Sequence, residues 1–290
     1  VASFLGLWIC THFSGDSELL LGFALILSFG MLHGANDILL LHKLAFHKRT
    51  FSLPTILIRY ILSILLVAVL FYVLPTIALL GFLMYSAYHF GEQHWEKSFI
   101  KSNNSLKSVF YFCYGMLILQ LLFTFNDIGV KFIVNEITGY QIANLNSFPI
   151  IIILGSLVLI MTAIELHFKR ISSEIALTEL FSLVILTIIF NSSSLIWGFT
   201  IYFILWHSVP SLAEQIKFVY GEFKLKTTLK YCKSAAPYWI VSLIGMVILY
   251  FMFNNEKHFY SLFFAFIAAV TFPHAFVMVK MFSKKKHEQL

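Results

Sequence analysis

The chain has 290 residues, of which 59% are hydrophobic and 12% are charged, and its mean hydropathy is +0.85. Soluble globular domains carry about 25% charged residues, so this composition excludes a soluble domain and indicates a polytopic membrane protein. The formal net charge of +6 does not indicate a nucleic-acid partner, because the basic residues lie in short loops and form no basic stripe with stacking aromatics. The three cysteines are far apart, show no CxxC spacing and are odd in number, so they indicate neither a zinc site nor a disulfide framework.

Nine runs of the chain are apolar and long enough to cross a bilayer, which takes about 20 residues of α-helix. The predicted fold class is therefore an all-α polytopic membrane protein, a bundle of about nine transmembrane helices in a single domain over residues 1–290. Val1 to Thr11 is apolar but too short to cross, and we expect a short or truncated tenth helix there. The predicted spans cover residues about 18–46, 53–74, 75–96, 105–125, 148–168, 174–190, 195–219, 235–253 and 259–281.

Lys and Arg residues are concentrated in alternate connections between the predicted spans. Because cytoplasmic loops carry an excess of Lys and Arg, this alternation predicts a multi-pass protein of the inner (plasma) membrane with a cytoplasmic C-terminus. The other connections offer only Lys131 and Lys257, and Asp16 and Glu18 are predicted to face outwards. The longest of these connections, 126–147, is expected to hold a short interfacial helix. The basic residues that follow the odd-numbered spans are Lys43, Lys48, Arg49, Lys97, Lys101, Lys107, Lys169, Arg170, Lys217, Lys224, Lys226, Lys230, Lys233, Lys280, Lys284, Lys285 and Lys286.

Four sequence motifs place a histidine inside a predicted span. His33 lies in GMLHGAND, which also carries Asp37 one helical turn later. A bilayer tolerates ionisable side chains only where they face the bundle interior and have partners, so such residues indicate a functional site. The other three motifs hold His89 in YHFGEQHW, His207 in LWHSVPS and His274 in TFPHAFVM. With a rise of about 1.5 Å per residue, all four histidines lie at comparable depth, and four helices can aim imidazoles at one point.

Several imidazoles at one depth are typical of a metal site, and all-nitrogen ligand sets suit Zn, Cu, Fe or Ni. A metal-bound imidazole usually donates its other N–H to a carboxylate or a carbonyl. Three acids follow a motif histidine at helical spacing on the same face, whereas His274 has no such acid, and Pro210 is expected to disturb the helix after His207. The acids, with their histidines, are Asp37 (His33), Glu92 (His89) and Glu214 (His207).

These polar residues also have other interpretations. A membrane histidine can simply hydrogen-bond across helices, and Asp37 and Glu92 can be ion partners between helices. A relay through the same histidines and acids would suit a proton-coupled transporter without stoichiometric metal, although the sequence shows none of the inverted repeats that transporters often contain. We expect His94, which lies near Trp95 and off the face of His89, at the surface or as an outer partner of the site.

The motifs GMLHGANDILLLHK, YHFGEQHW, LWHSVPS and TFPHAFVM, in this order over nearly the whole chain, resemble those of the bacterial and archaeal Brp/Blh family of β-carotene 15,15'-dioxygenases. The resemblance implies an integral membrane enzyme that uses Fe2+ and O2 to cleave the central double bond of β-carotene. The two all-trans-retinal products commonly supply a microbial rhodopsin. It also implies an apolar tunnel for the polyene, and we expect the wall residues to be Tyr85, Tyr88, Tyr202, Trp206 and Phe272.

Carried over by motif, His33, His89 and His207 match the iron-ligand histidines of the family. The resemblance departs at Ser211, where family members often carry a second histidine one turn after the first. Either His274 completes the ligand set, or the site has three histidines, or the chain is a divergent member with altered activity, such as a non-catalytic accessory protein that binds carotenoid or retinal. Of these we expect His274 to complete the set.

Overall fold

A computed structural model describes residues 1–13, 15–46, 53–99, 104–143, 147–253 and 259–288. Within these ranges the regular elements are all helical, which confirms the predicted all-α polytopic membrane class. The α-helices are α1 Ala2–Cys10, α2 Gly15–Leu25, α3 Asp37–Phe46, α4 Leu53–Val73, α5 Pro75–Trp95, α6 Asn104–Phe125, α7 Asp127–Thr138, α8 Phe148–His167, α9 Ser173–Asn191, α10 Leu195–Ile201, α11 Val209–Tyr220, α12 Leu225–Phe253 and α13 Phe259–Glu288. Two π-helical segments interrupt the series, π1 Ile26–Gly30 and π2 Tyr202–Ser208.

Seven of the described helical stretches are long and apolar enough to cross a membrane. Two predicted spans are not among them. The first, about 18–46, divides into α2, π1 and α3 because a turn occupies residues 33–36. The third is continuous as α5, but its second half carries several polar side chains that lower its hydropathy. The seven stretches are Pro54–Val73, Ser105–Phe125, Phe148–His167, Ser173–Asn191, Leu195–Tyr220, Leu225–Ile248 and Phe259–Ser283.

The short helix α7 lies in the predicted loop 126–147, which confirms that this connection holds a helix. The orientation of the chain across the membrane stays a prediction. Of the basic residues on which that prediction depends, Lys48, Arg49, Lys101 and Lys257 lie outside the described residues.

The contacts group the chain into two compact units. Unit 1 comprises Val1–Phe23, Leu83–Asn135 and Gly139–Tyr202, and unit 2 comprises Ala24–Phe82, Glu136–Thr138 and Phe203–Leu290. Each unit combines segments that are far apart in the sequence, so a single linker could not mark the boundary between the units. The single membrane domain over residues 1–290 stays a prediction.

Unit 1 is organised around α6, which packs against both α8 and α9. Phe110, Tyr114, Ile118 and Leu122 are all buried, because residues four apart lie on one face of an α-helix. Unit 1 therefore has its core along one stripe of α6.

Two glycines allow α5 and α6 to approach each other closely within unit 1. A Cβ atom at Gly91 would overlap the backbone carbonyl of Tyr111, and one at Gly115 would overlap the carbonyl of Ala87. Because backbone atoms cannot move aside as the end of a flexible side chain can, both positions require glycine. The crossing fixes the segment of α5 that carries His89.

Unit 2 is organised around α13, which packs against α3 and α4. Its buried cluster consists of Leu40 from α3 with Val277, Met278, Met281 and Phe282 from α13. The ammonium of Lys43 on α3 donates hydrogen bonds to the carbonyls of Phe218 (2.6 Å) and Val219 (2.7 Å), near the end of α11. The last carbonyls of a helix have no partner within the helix, so this lysine both caps α11 and fixes it against α3.

We predict that Gly91→Ala lowers the free energy of unfolding by about 1–3 kcal/mol, because the added methyl group overpacks the crossing of α5 and α6. The measurement is the melting temperature of the purified protein in detergent. Gly81→Ala in the same helix is the matched control, since nothing lies within 4 Å of a Cβ atom at Gly81 and alanine favours a helix over glycine. Equal melting temperatures for the Gly91 variant and the wild type would contradict this packing.

Candidate metal centre

Three of the four motif histidines converge in unit 2. His33, His207 and His274 each offer a nitrogen atom, and these atoms all lie within 4.8 Å of one another. The residues are 4%, 2% and 3% exposed, respectively. The ring of His33 meets the other two edge-on, with centroid distances of 5.2 Å to His207 and 4.6 Å to His274. The structure thus forms a buried three-imidazole cluster from segments that are far apart in sequence.

Irregular backbone places two of these rings. His33 lies in the turn after π1, and His207 lies within π2, and π-helical turns occur frequently at functional sites. Pro210 stands in the first turn of α11, which continues directly from π2. The expected disturbance after His207 therefore occurs as a change from π-helix to α-helix at Val209.

Gly30 makes room for the cluster. A Cβ atom at Gly30 would overlap the ring of Phe203, whereas one at Gly34 would lie at an ordinary contact distance of 3.5 Å from Nδ1 of His274. The Phe203 ring stacks on His207 with 5.4 Å between centroids and meets His33 edge-on at 5.8 Å. Close packing of this kind limits the rotation of the imidazoles and excludes water from one side of them.

Hydrogen bonds at Nδ1 fix the tautomers of two histidines. Nδ1 of His33 donates to the carbonyl of Gly30, and Nδ1 of His274 donates to Oδ1 of Asp37 over 2.8 Å. A carbonyl and a carboxylate only accept hydrogen bonds, so in the neutral rings the proton is on Nδ1 and the lone pair is on Nε2. Metal-binding histidines usually have this pattern.

The partner of His274 corrects the sequence prediction, which left this histidine without an acid and gave Asp37 to His33. Asp37 is the acid of His274, although 237 residues separate them in sequence. The spacing argument failed because residues 33–36 form a turn and Asp37 begins a new helix, so the four-residue interval is not one turn of a continuous helix. The second carboxylate oxygen of Asp37 accepts a hydrogen bond of 2.7 Å from the hydroxyl of Tyr60.

Ser211 belongs to a separate buried network in unit 2. Its hydroxyl accepts a hydrogen bond of 3.0 Å from the amide of Gln215, whose oxygen in turn accepts from the hydroxyl of Tyr231. The side chain of Asn36 donates to the carbonyl of Tyr231 over 2.9 Å. This network joins the turn after His33 to α11 and α12, and Ser211 acts in it as a structural acceptor.

An apolar cleft opens beside the imidazoles. Its enclosed volume is about 20 Å³, which is room for about one water molecule. Its apolar wall includes Met31, Phe203, Ile267 and Val270, and Thr271 also lines it. The aromatic side chain in this wall is Phe203, which the sequence did not single out, whereas Tyr85, Tyr88 and Tyr202 of the expected wall lie in unit 1.

The remaining candidates are not members of the three-histidine group. His89 and Glu92 are buried on α5 in the part that belongs to unit 1, and their roles stay predictions. Glu214 is buried on α11 in unit 2 and is not in the three-histidine group. His94 is not at the surface, since its side chain is only 8% exposed and its Nδ1 lies 2.8 Å from the carboxylate of Glu179. No sequence pattern linked these two residues, which are 85 positions apart.

The geometry of the cluster fits a transition metal. Nitrogen ligands lie about 2.0–2.1 Å from a bound ion such as zinc, so two nitrogens on one ion are at most about 4.2 Å apart. The spacing within 4.8 Å is close to this limit, and small side-chain movements suffice to bring the rings onto one ion. Three neutral imidazoles suit Fe, Zn, Cu or Ni and leave coordination positions for other ligands.

We predict that His33→Ala, His207→Ala and His274→Ala each reduce bound metal to well below one ion per chain, because two imidazoles remain where three converge. The measurement is elemental analysis after anaerobic loading with ferrous iron and removal of excess metal. His167→Ala, an exposed change at the end of α8, is the matched control and should load like the wild type. Full loading of any one of the three variants would remove that histidine from the ligand set.

Asp37→Asn is expected to weaken metal affinity about 10 to 100-fold, in the range of other changes to groups that orient a metal-bound histidine. The amide cannot accept through its nitrogen and has no charge to support the imidazole. Affinity is measured by competition with a chelator, and Asp127→Asn, in a partly exposed pair with Lys131, serves as the control. Unchanged affinity would make Asp37 a helix-packing residue.

A comparison with known protein families gives a match over most of the chain. The family model described as Beta-carotene 15,15'-dioxygenase matches residues 24–282, which is nearly the whole chain and includes all four motif histidines. The comparison with curated proteins found no match, and neither did the comparison with solved structures. The resemblance stated from the motifs is thereby confirmed: the chain belongs to the β-carotene 15,15'-dioxygenase family.

Proposed function

We propose that this protein is an iron-dependent membrane dioxygenase that cleaves β-carotene centrally to two molecules of all-trans-retinal. Membership of the family supports the reaction class. The single observation that carries the proposal for this chain is the buried three-histidine cluster beside an apolar cleft. One C=C bond breaks and two C=O bonds form, with both oxygen atoms supplied by one molecule of O2, so no external reductant is required.

His33, His207 and His274 would hold the iron, which when bound supplies the ability to activate O2 for addition to an electron-rich double bond. The protein's own residues provide position and surroundings. Gly30 and Asp37 orient two of the imidazoles through their Nδ1 atoms. Neutral imidazoles with fixed tautomers are the donors that such a site needs.

In this proposal His274 is the iron ligand that replaces the second histidine, which the resemblance leads one to expect at Ser211. The imidazole of His274 lies in the cluster and is supported by a carboxylate, whereas the hydroxyl of Ser211 accepts a hydrogen bond from Gln215. A serine hydroxyl is also a poor ligand for ferrous iron. The assignment of His89 rests on its motif alone, and we expect His89→Ala to abolish cleavage.

The lining of the cleft favours an apolar ligand over a charged one, and a polyene requires the side chains around the cleft to move apart. Its wall of Met31, Phe203, Ile267 and Val270 offers no charge to which a polar ligand could bind. β-Carotene and O2 are both apolar, so burial of the imidazoles among apolar side chains places them in an environment that both substrates favour. Retinal formed in the membrane would be available to a microbial rhodopsin.

The two rival functions predict different properties. A proton-coupled transporter would use the histidines and acids as a relay and would bind no stoichiometric metal. A non-catalytic accessory protein would bind carotenoid or retinal and leave the substrate intact. Neither is favoured by an observation in the described part of the chain, and one experiment separates both from the proposed enzyme.

We predict that expression of the wild-type protein in cells that accumulate β-carotene removes the orange colour and produces retinal, measured by chromatography of lipid extracts. The His207→Ala variant should leave the carotene intact because it disrupts the cluster. His167→Ala should behave like the wild type, which controls for expression and for histidine loss. Colour retained with carotenoid bound to the purified wild type would favour an accessory protein, and retained colour without bound carotenoid or metal would contradict both.

A further inference from the structure

The carboxylate of Asp37 is held from two sides within unit 2. Its Oδ1 accepts a hydrogen bond from Nδ1 of His274 on α13 (2.8 Å), and its Oδ2 accepts one from the hydroxyl of Tyr60 on α4 (2.7 Å). Asp37 itself is the first residue of α3 and is 1% exposed. Three helices thus meet at one buried carboxylate.

The second hydrogen bond determines which way the carboxylate faces. The terminal torsion of an aspartate has a broad energy profile, so the rotamer alone does not fix the plane of the carboxylate. With the Tyr60 hydroxyl on Oδ2, the plane is fixed, and Oδ1 stays aligned with the N–H of His274. Without this hydroxyl, Oδ2 would be a buried acceptor that has lost its donor, which costs free energy. The carboxylate would then rotate towards another donor.

We propose that Tyr60 is a positioning residue of the metal centre, which acts through Asp37 to set the orientation and donor strength of His274. This inference rests on the proposed function of the cluster. Tyr60 is neither a member of the three-histidine group nor a residue that lines the cleft. Its ring packs against the buried cluster of α3 and α13 residues, which holds the hydroxyl in place for the carboxylate.

The decisive variant is Tyr60→Phe, which keeps the ring and its packing and removes only the hydroxyl. We expect about 10-fold weaker binding of Co2+ in a chelator competition, the low end of the range for groups that support a metal-bound histidine. The visible absorption bands of bound Co2+ should also shift, because the imidazole of His274 changes its angle and donor strength. Tyr72→Phe is the matched control, since Tyr72 lies on the same helix and is 88% exposed.

A double-mutant cycle separates an effect through Asp37 from a general effect on packing. If Tyr60 acts through the carboxylate, Tyr60→Phe combined with Asp37→Asn should bind Co2+ no more weakly than Asp37→Asn alone. The metal-free melting temperature of Tyr60→Phe should fall, because Oδ2 of Asp37 loses its donor, and the further increase in melting temperature on metal binding should be smaller than in the wild type.

Three results would overturn the inference. Wild-type Co2+ affinity and spectrum in Tyr60→Phe would show that the hydroxyl has no influence on the centre. Additive losses in the double variant would show that Tyr60 acts independently of Asp37. A wild-type protein that binds neither Co2+ nor Fe2+ would refute the proposed metal centre and, with it, this inference. The first two results would refute only this inference and would leave the proposed function intact.

Discussion

The hydrogen bond between Asp37 and His274 is the interaction on which the site depends. An imidazole in the interior of a membrane protein is stable only if its polar atoms have partners. The carboxylate satisfies Nδ1 of His274 and leaves the lone pair on Nε2, at the side of the ring that can bind a metal. The same bond ties the start of α3 to the middle of α13, so it joins the sequence segment of His33 to that of His274. The hydrogen bond that holds α3 against α13 therefore also orients the imidazole of His274.

Departures from regular helix make the convergence possible. A continuous α-helix through residues 18–46 would place Asp37 on the face of His33. The π-turn and the turn after it instead direct Asp37 away to another histidine. A second π-helical segment carries His207, and Phe203 at its start packs against both His33 and His207. Glycine at position 30 leaves room for that ring. The irregular backbone thus lies where the chemistry is proposed, as π-turns often do.

Much of the fold follows from hydropathy, because a membrane span needs a long apolar run. The predicted spans fall on helical structure except that a turn at residues 33–36 divides the first one, and the polar residues inside the spans marked the buried histidines. Pairings between distant residues did not follow from the sequence. Asp37 was paired with His33 instead of His274, because the spacing of a continuous helix was assumed where the chain forms a turn. Tyr60 and Phe203 were overlooked because a tyrosine or phenylalanine in an apolar run is usually ordinary packing. Glu179 and His94 show the same limit, since only the folded chain brings them together.

X-ray absorption at the iron edge of the anaerobically loaded wild-type protein tests the central claim most directly. If His33, His207 and His274 bind one ion, the extended fine structure should show a shell of nitrogen or oxygen ligands together with the outer-shell scattering of at least three imidazole rings. A spectrum without imidazole scattering, or a protein that retains no iron after loading, would contradict the account.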